Sequence, residues 1–419
     1  MTHFLPAFKK TMSDVPYQIY IGVDDNDEFF MSHRAELEEI GKVVVLIGCN
    51  HAPAWAWNRL AEVSYQAGDE YMFQIGDDVI LETPMWTECF ISKLQAHRNR
   101  GVVGPINPVN AAARGHRNLV IENSFVHRSH LDIFGSFFHP SIRNWHCDEW
   151  LTRVYEGICS HTFDDVVVHN SCIDKRYAIE SISIEDQLRE GRRQLKRALR
   201  GCFSFCVYGP YTDKYYRGLV ENVALVREYY PTSHIVVYAS PEASTFVREN
   251  CPTVLLQITE EYGSRNKTYR FTPALTNNYD FVCVRDTDSR IHARDRWCID
   301  RFLDSPQTAY TIRDHQWHAY LMMAGLWGCK GQIKIPDAVL QDFVNTRDDG
   351  YAVDAEFLNT HVYPLIRDNF LVFSHVASGV LGNPNEKVCV IEHPVENGEF
   401  CGNVVLYKDD APYHEFIQM

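Results

Sequence analysis

The sequence lacks the cysteine spacing of a disulfide framework or a zinc site. Its thirteen cysteines include no CxxC pair, and Cys202 and Cys206 lie four residues apart inside an apolar run. Such scattered cysteines are typical of a reducing compartment, where cysteine serves as a small buried hydrophobe. We therefore expect neither structural disulfides nor zinc.

Long apolar runs are absent as well. No stretch approaches the roughly 18 apolar residues that a membrane-spanning helix requires. The N-terminal string MTHFLPAFKKTMSDVP contains no apolar segment typical of a secretion signal. These absences predict a soluble, cytoplasmic protein without a membrane span.

Basic residues are fewer than acidic residues. The chain has 40 lysines and arginines against 55 aspartates and glutamates, a formal net charge of −15. A protein that wraps nucleic acid needs clustered lysine and arginine, so we expect no nucleic-acid partner. An acidic enzyme that acts on a phosphate-bearing substrate is expected to recruit a divalent cation.

The length predicts two domains. At 419 residues the chain is too long for one typical core and fits two of roughly 200 residues each. Residues 183–201 are dense in charge and lack a broad apolar face, which predicts an exposed connecting helix that ends at Gly201. We place the boundary near residues 190–200, with domains over residues 1–190 and 198–419.

Apolar runs alternate with helical patterns in both halves, which predicts an α/β fold with two Rossmann-like domains. Each domain should contain a mostly parallel central sheet that is covered on both faces. The predicted strands lie at residues 17–24, 42–50, 70–78, 202–209, 233–240, 253–258 and 279–286.

Two acidic motifs follow apolar strands, at the strand ends where open parallel sheets bind their ligands. Asp77 and Asp78 end the segment 70–78, directly after its apolar run, and Asp286 ends the segment 279–286, with Asp288 two residues further on. Carboxylates just past a strand end can hold a hard cation, which can bridge the two phosphates of a nucleotide diphosphate. These four residues are therefore candidate metal ligands.

Two arginines flank the second motif. In the string RDTDSR, Arg285 precedes Asp286 and Arg290 follows Asp288. Guanidinium groups bind phosphate in a bidentate manner, so both arginines are candidate contacts of a phosphorylated ligand.

Other interpretations of the motifs stay open. Aspartate is common in turns after strands. Gly76-Asp77-Asp78 is similar to the GDD of RNA polymerases, although the chain is short and acidic for that role. Asp286-Thr287-Asp288 is similar to the nucleophile motif of haloacid-dehalogenase-type phosphatases, which normally follows the first strand of its domain.

The first half resembles a glycosyltransferase domain of the GT-A fold. The string YIGVDDND is similar to the early acidic loop of that fold, so the resemblance places Asp24 or Asp25 at the nucleoside. GDDV resembles its DxD-type metal site. VVGP, FVHRSHLDIFG and NWHCDEW resemble the acceptor-side half, and Asp148-Glu149 before Trp150 looks like the catalytic base of inverting members.

The second half resembles another GT-A-like group, seen in bacterial and large-virus polysaccharide genes. The matching strings are RDTDSR, IRDHQWH, MMAGLWG and FSH. GT-A domains often supply a late histidine as a third metal ligand. This resemblance points to His375 in the second domain and to His169 in the first.

Further candidates complete the predicted second site. Arg313, His315 and His318 cluster after a strand as phosphate or metal contacts. Trp327, between Gly325 and Gly328, could stack on a sugar or lie in the core. Asp354 and Glu356 open a predicted helix, where they could act on the acceptor or complement the helix dipole.

The favoured function is sugar transfer from a nucleotide-diphosphate donor to a glycan hydroxyl by a hexosyl- or pentosyltransferase that uses Mn²⁺ or Mg²⁺. One feature departs from the resemblance, because the apolar strand that usually opens a GT-A domain is missing before YIGVD. The alternative is a glycan-binding protein in which one or both domains are catalytically dead.

Overall fold

The structure is a computed structural model that describes residues 4–109, 112, 120–170, 182–260, 263–336, 338–348, 350–375, 386–395 and 400–414. The chain divides into two compact units, Met1–Ala198 (unit 1) and Leu199–Met419 (unit 2). Helices alternate with strands in both, and both contain parallel strand pairs. The predicted α/β class is confirmed. No helix among the described residues is long and apolar enough to cross a membrane.

Unit 1 contains eight labelled helices and seven strands in its described part. The helices are α1 (Phe4–Thr11), α2 (Glu28–Ser32), α3 (Arg34–Glu38), α4 (Pro53–Ala67), α5 (Trp86–Ala96), α6 (Ser129–Phe134), α7 (Cys147–Val154) and α8 (Glu185–Ala198). The strands are β1 (Tyr20–Asp24), β2 (Lys42–Leu46), β3 (Tyr71–Phe73), β4 (Val79–Leu81), β5 (Val102–Ile106), β6 (Phe125–His127) and β7 (Ser160–Asn170).

The strands of unit 1 form two separate sheets. β1 and β2 pair in parallel as a two-stranded sheet, and the other five follow the order β3-β6-β5-β7-β4. Only β5 and β7 are parallel within the larger sheet. It therefore differs from the mostly parallel sheet expected from the sequence.

Helix α8 packs against unit 1, in contrast to the predicted exposed connector. Leu188, Gly191 and Leu195 are buried on one stripe, and this spacing of three and four residues is typical of a helix that covers a core. A Cβ atom at Gly191 would lie 3.0 Å from Trp150 Cζ2, so the glycine permits the close approach of α7. The charged residues that dominate the sequence of α8 occupy its other faces.

Unit 2 contains a single eight-stranded sheet. Its main strands are β8 (Gly201–Val207), β9 (His234–Ala239), β10 (Leu255–Ile258), β11 (Phe281–Arg285), β12 (Ala309–Arg313), β13 (Leu326–Lys330), β14 (Phe370–Ser374) and β15 (Lys387–Val390). A separate antiparallel hairpin is formed by β16 (Val405–Lys408) and β17 (Ala411–His414).

The described helices of unit 2 lie between these strands. They are α9 (Gly218–Tyr229), α10 (Pro241–Asn250), α11 (Asn266–Tyr269), α12 (Thr272–Leu275), α13 (Ala293–Asp304), α14 (Ala338–Thr346), α15 (Val353–Phe357) and α16 (Tyr363–Ile366). Wider π-helical turns occur at Asp213–Arg217 and Leu358–Val362, and Arg367–Asn369 form a 3₁₀ turn.

The strand order of unit 2 contains a topological switch point. The order is β10-β9-β8-β11-β13-β12-β14-β15, with β13 alone antiparallel to its neighbours. From β8 the chain steps outward through β9 and β10, and it then returns to the other side of β8 at β11. Open α/β sheets bind ligands in the crevice that such a reversal leaves at the carboxyl strand ends.

Six strands of each unit follow the same plan. The orders β9-β10 and β11-β13-β12-β14 in unit 2 correspond to β1-β2 and β3-β6-β5-β7 in unit 1, with the strands in the same sequence along the chain. In unit 2, β8 joins the two groups into one sheet. Within the described part of unit 1 no strand joins β1 to β3, which agrees with the missing strand that the sequence predicts.

Candidate functional site

The switch point of unit 2 carries the second acidic motif. Asp286 follows the last residue of β11, and Asp288 lies two residues further on. The C-terminal segment fixes this loop, because Val405 N donates to Asp288 O at 2.8 Å and Ser289 forms an antiparallel bridge with Val404. The two carboxylates therefore project from a braced loop at the crevice between β8 and β11.

Asp286 is positioned by a glycine and an arginine. A Cβ atom at Gly325 would overlap the Asp286 carboxylate, so only glycine leaves room for that side chain. Arg270 Nη1 donates to Asp286 Oδ1. Arg270 itself is 1% exposed, which makes it a fixed cation rather than a mobile surface group.

Arg270 also links the motif to helix α15. Its Nη2 donates to Asp354 Oδ2 at 2.8 Å, and Lys267 Nζ lies 3.9 Å from Asp354 Oδ1. One buried guanidinium thus bridges two carboxylates that are distant in sequence. Because a buried charge must be paired, Asp286 and Asp354 stabilise Arg270 as much as it positions them.

Asp288 has a separate cationic partner. Lys214, on the π-helical turn after β8, places its Nζ 3.2 Å from Asp288 Oδ2. Together these contacts define the charge cluster, whose six members are Lys214, Lys267, Arg270, Asp286, Asp288 and Asp354.

The two motif carboxylates have opposite pKa shifts. Burial raises the pKa of Asp286, but the Arg270 guanidinium outweighs it and holds that pKa below its usual range. Burial and repulsion from Asp286 raise the pKa of Asp288 above its usual range, and Lys214 offsets this only in part. Asp288 is therefore the carboxylate whose ionised form a further nearby cation would stabilise most.

The motif fits a divalent cation that is shared with phosphate. Within the described residues, no group of three or more His, Cys, Asp or Glu side chains is arranged to hold a metal alone. Mg²⁺ usually takes one or two protein carboxylates and completes its coordination with water and substrate phosphates. Asp286 and Asp288 supply that number, and Lys214 already marks a position where Asp288 accepts positive charge.

Four members of this arrangement were not predicted from the sequence: Lys214, Lys267, Arg270 and Gly325. Lys267 and Arg270 lie three apart in NKTYR, so they share one side of a helical turn. That spacing was an available signal. The contact between Gly325 and Asp286 joins residues 39 positions apart by their numbers, and no local pattern indicates it.

The three arginines predicted to contact phosphate form ion pairs within unit 2. Arg285 is fully buried and lies 2.5 Å from Asp295 of α13. Arg313 pairs with Glu386 at 3.1 Å. Arg290 donates to Glu221, Tyr407 and the Thr287 carbonyl. Because each of these arginines forms an ion pair inside unit 2, we do not include them in the proposed site.

The histidines after β12 form an ordered turn. His318 Nδ1 accepts from Asp314 N at 2.9 Å, and burial lowers the pKa of His318 to about 4. His315 stacks on Phe400 with ring centroids 4.2 Å apart, and burial lowers its pKa as well. Both rings therefore pack against Phe400 of the C-terminal segment. Neither presents positive charge to phosphate.

Trp327 lies in the core. It is fully buried in β13 and packs edge-on against Phe271, with centroids 5.5 Å apart. The prediction that it could stack on a sugar is wrong, because no face of the indole reaches the surface.

His375 lies at the carboxyl edge but not beside the motif. It follows β14, three strands from β11, which corresponds to roughly 14 Å at the usual strand spacing. Its Nδ1 lies 3.2 Å from Arg294 Nη2. That separation is too large for one cation shared with Asp286, so we leave His375 out of the site.

The candidate catalytic carboxylates of unit 2 point to different surroundings. Asp354 is buried and bound to Arg270. Glu356 is exposed, lies 2.6 Å from Arg347 and lines an open cavity. Of the two, only Glu356 is accessible to an incoming acceptor.

The predicted residues of unit 1 are distributed over its two sheets and helix α7. Asp77 and Asp78 occupy the turn between β3 and β4. His169 pairs across the sheet with Ile80 and lies 3.4 Å from Glu82, so the fold brings it near the end of that turn.

The early acidic loop of unit 1 lies on its smaller sheet. Asp24 ends β1 and Asp25 follows it in a turn. Burial and repulsion from Asp25 and Asp27 raise the pKa of Asp24. The loop therefore already concentrates negative charge, but the sheet that carries it is separate from the sheet that carries Asp77 and Asp78.

The candidate base of unit 1 is held in ion pairs. Asp148 and Glu149 lie in the first turn of α7. Glu149 accepts from His146 at 2.8 Å and from Arg153 at 3.0 Å. Burial acts to raise the pKa of Glu149, but these two partners outweigh it and the pKa lies below its usual range. A carboxylate stabilised in this way is a weak proton acceptor.

The comparisons with known proteins find similarity among solved structures but not at the level of sequence families or curated proteins. No protein-family model matches the sequence, and no curated protein matches it. Among solved structures, the chain is similar to "Mannosyltransferase PcManGT from Pyrobaculum calidifontis in complex with GDP-Man and Mn2+", with 16% identity and a TM-score of 0.29. The match covers 49% of this chain and 58% of that chain. Similarity at this level does not establish a function.

Proposed function

We propose that unit 2 is a glycosyltransferase domain that transfers a sugar from a nucleotide-diphosphate donor to a glycan hydroxyl. The observation that carries this proposal is the position of Asp286 and Asp288 at the switch point between β8 and β11, inside a cluster of three cations and three carboxylates. A switch-point crevice is where open α/β sheets bind nucleotides.

The charge balance of the cluster suits a metal–diphosphate pair. Its three cations and three carboxylates have a formal sum of zero. A diphosphate and a divalent cation that enter together nearly cancel one another, so the site accepts the pair without a large unpaired charge. A bound Mn²⁺ or Mg²⁺ would stabilise the negative charge that develops on the leaving diphosphate.

We assign metal binding, diphosphate binding and proton transfer to different side chains. Asp286 and Asp288 would hold the cation. Lys214 and Lys267 are half-buried and would donate to diphosphate oxygens, while buried Arg270 keeps Asp286 and Asp354 in place. An acceptor hydroxyl must lose its proton to a nearby base. We assign that role to Glu356, whose ion pair with Arg347 is half exposed, rather than to Asp354, which is buried against Arg270.

For unit 1 we propose a supporting role without chemistry. Two observations favour this second assignment. The sheet is split at the position where β8 lies in unit 2, and Glu149 is engaged by His146 and Arg153. Unit 1 would then act as a scaffold or a glycan-binding module, and unit 2 would carry the chemistry.

Release of nucleotide diphosphate tests whether the protein is an enzyme or only a binder. The full chain is incubated with a panel of UDP- and GDP-sugars and Mn²⁺, without acceptor, and the free nucleotide diphosphate is measured. An enzyme hydrolyses its donor slowly. We expect Asp288→Asn to lower that release by about a hundredfold or more, and Asp78→Asn, the matched change in unit 1, to leave it unchanged. No release with any donor would leave a pure binding protein.

A further inference from the structure

Unit 2 contains a cavity of about 630 Å³ that the proposed donor site does not use. This volume lies within the range of about 300–1,000 Å³ typical of ligand sites. One wall is the segment 319–321 and the other is formed by residues between 347 and 360. Its polar lining side chains are Tyr320, Arg347, Asp348, Glu356, Asn359 and Thr360.

Both walls are connected to the charge cluster. The first belongs to the loop between β12 and β13, in which Gly325 contacts the Asp286 carboxylate. The second includes Glu356 of α15, the helix whose Asp354 binds Arg270. Both walls of the cavity therefore belong to segments of the chain that also contact the charge cluster.

The cavity offers the groups that carbohydrates bind. Arg347 and Glu356 form an ion pair at 2.6 Å while each stays about half exposed, so an array of donors and acceptors faces the ligand. Tyr320 is 38% exposed and could cover the apolar face of a sugar ring. Tyr351, which lies in sequence between the lining residues Gly350 and Ala352, is 91% exposed.

The charges of the lining select the kind of glycan. One arginine stands against two carboxylates, Asp348 and Glu356, so the cavity has a formal charge of −1. An anionic sugar such as a uronate would meet net repulsion there, whereas the hydroxyls of a neutral sugar can both donate to carboxylates and accept from Arg347.

We propose that this cavity is the acceptor subsite and that it binds an uncharged oligosaccharide. The proposal rests on the proposed function of unit 2, because an acceptor is required only if sugar is transferred. Tyr320 would stack on the acceptor, and Glu356 would accept a hydrogen bond from the hydroxyl that receives the new sugar.

Ligand-observed NMR on the full chain tests the cavity directly. The probes are four neutral trisaccharides, namely mannotriose, maltotriose, xylotriose and triacetylchitotriose, together with anionic trigalacturonate. We expect saturation transfer to at least one neutral probe. Tyr320→Ala and Glu356→Gln should each weaken its binding by about tenfold, while Tyr413→Ala, at a comparably exposed tyrosine outside the cavity, should not.

Three outcomes would overturn the proposal. These are no binding by any neutral trisaccharide, wild-type affinity in both cavity variants, or a preference for trigalacturonate. Donor binding is measured on the same samples with Mn²⁺ and the sugar nucleotides. Glycan binding without donor binding would reject the proposed function and keep the glycan site, whereas donor binding without glycan binding would reject the cavity alone.

Discussion

At the residue scale, the geometry of the proposed site depends on Gly325, which has no side chain. Asp286 occupies the space in which a Cβ atom of residue 325 would lie. Its carboxylate is therefore fixed from one side by Gly325 and from another by buried Arg270. This arrangement makes the metal site sensitive to a single methyl group.

Gly325→Ala should displace the Asp286 side chain and weaken Mn²⁺-dependent binding of the sugar nucleotide at least tenfold. The backbone of residue 325 does not require glycine, because its φ angle is not positive. Gly350→Ala is the matched control, since its new Cβ meets only Val353 Cγ2 at 3.4 Å. Titration calorimetry on both variants checks this expectation, and equal affinity in both would contradict it.

A second residue-scale prediction concerns His130 in unit 1. Nε2 donates to Phe137 O at 2.8 Å and Nδ1 accepts from Tyr155 Oη at 3.0 Å, so the buried ring is neutral. Burial lowers its pKa from 6.5 to about 4. Well above pH 6.5, His130 is unprotonated in both the folded and the unfolded state. As the pH falls below 6.5, the unfolded state gains a proton first, and the stability of the fold decreases.

The expected loss between pH 7 and pH 5 is about 2 kcal/mol. His130→Gln keeps a donor and an acceptor but does not titrate. The free energy of unfolding of this variant should therefore fall by about 2 kcal/mol less than that of the wild type between pH 7 and pH 5. Denaturant unfolding of both proteins at the two pH values measures the difference. The same pH dependence in the variant and the wild type would show that His130 is not the titrating group.

The sequence indicated the acidic members of the site better than its basic members. Asp286 and Asp288 could be predicted because they directly follow an apolar run whose strand end is set locally. Arg270 could not, because its role depends on Asp286 and on Asp354, which lies 84 residues away. Trp327 was ambiguous for a related reason, since a flanking glycine does not show which way a strand residue faces.

At the scale of the elements, all seven strands predicted from apolar runs are present, each somewhat shorter than its run. β8 shows why this signal is strong, because every one of its seven residues is buried and a strand covered on both faces must be apolar throughout. α8 was predicted to be an exposed connecting helix, and this prediction was wrong because one of its faces is buried. Three small or apolar residues in one stripe were enough to bury it, despite the charge of the rest.

Gly191 is a point of close approach between α8 and α7. A Cβ atom there would lie 2.8 Å from Val154 Cγ2. In an exposed helix, replacing glycine with alanine stabilises by about 1 kcal/mol, whereas overpacking a core costs about 1–3 kcal/mol. We expect Gly191→Ala to destabilise unit 1 by about 1 kcal/mol.

The control for that change is Arg189→Ala on the exposed face of the same helix, where a change within about 0.5 kcal/mol is expected. Both are measured by denaturant unfolding of the full chain. A stabilised Gly191→Ala protein would mean that α8 does not pack closely on unit 1.

At the scale of the whole molecule, two units that share the plan of six strands differ most at β8. β8 unites the sheet of unit 2 and creates its switch point, whereas the sheets of unit 1 stay separate. The similar plan was predictable from the alternation of strands and helices. The antiparallel pairings of the larger sheet in unit 1 were not, because apolar runs do not specify the direction of a partner strand.

The central claim is that the acidic motif of unit 2, and not that of unit 1, binds a metal and a nucleotide-diphosphate sugar together. The most direct measurement is a calorimetric titration of the sugar-nucleotide panel, with and without Mn²⁺, into the wild type, Asp288→Asn and the double variant Asp77→Asn/Asp78→Asn. The account predicts Mn²⁺-dependent binding that is lost in Asp288→Asn and retained in the double variant. Retention in Asp288→Asn together with loss in the double variant would place the donor in unit 1 and contradict it.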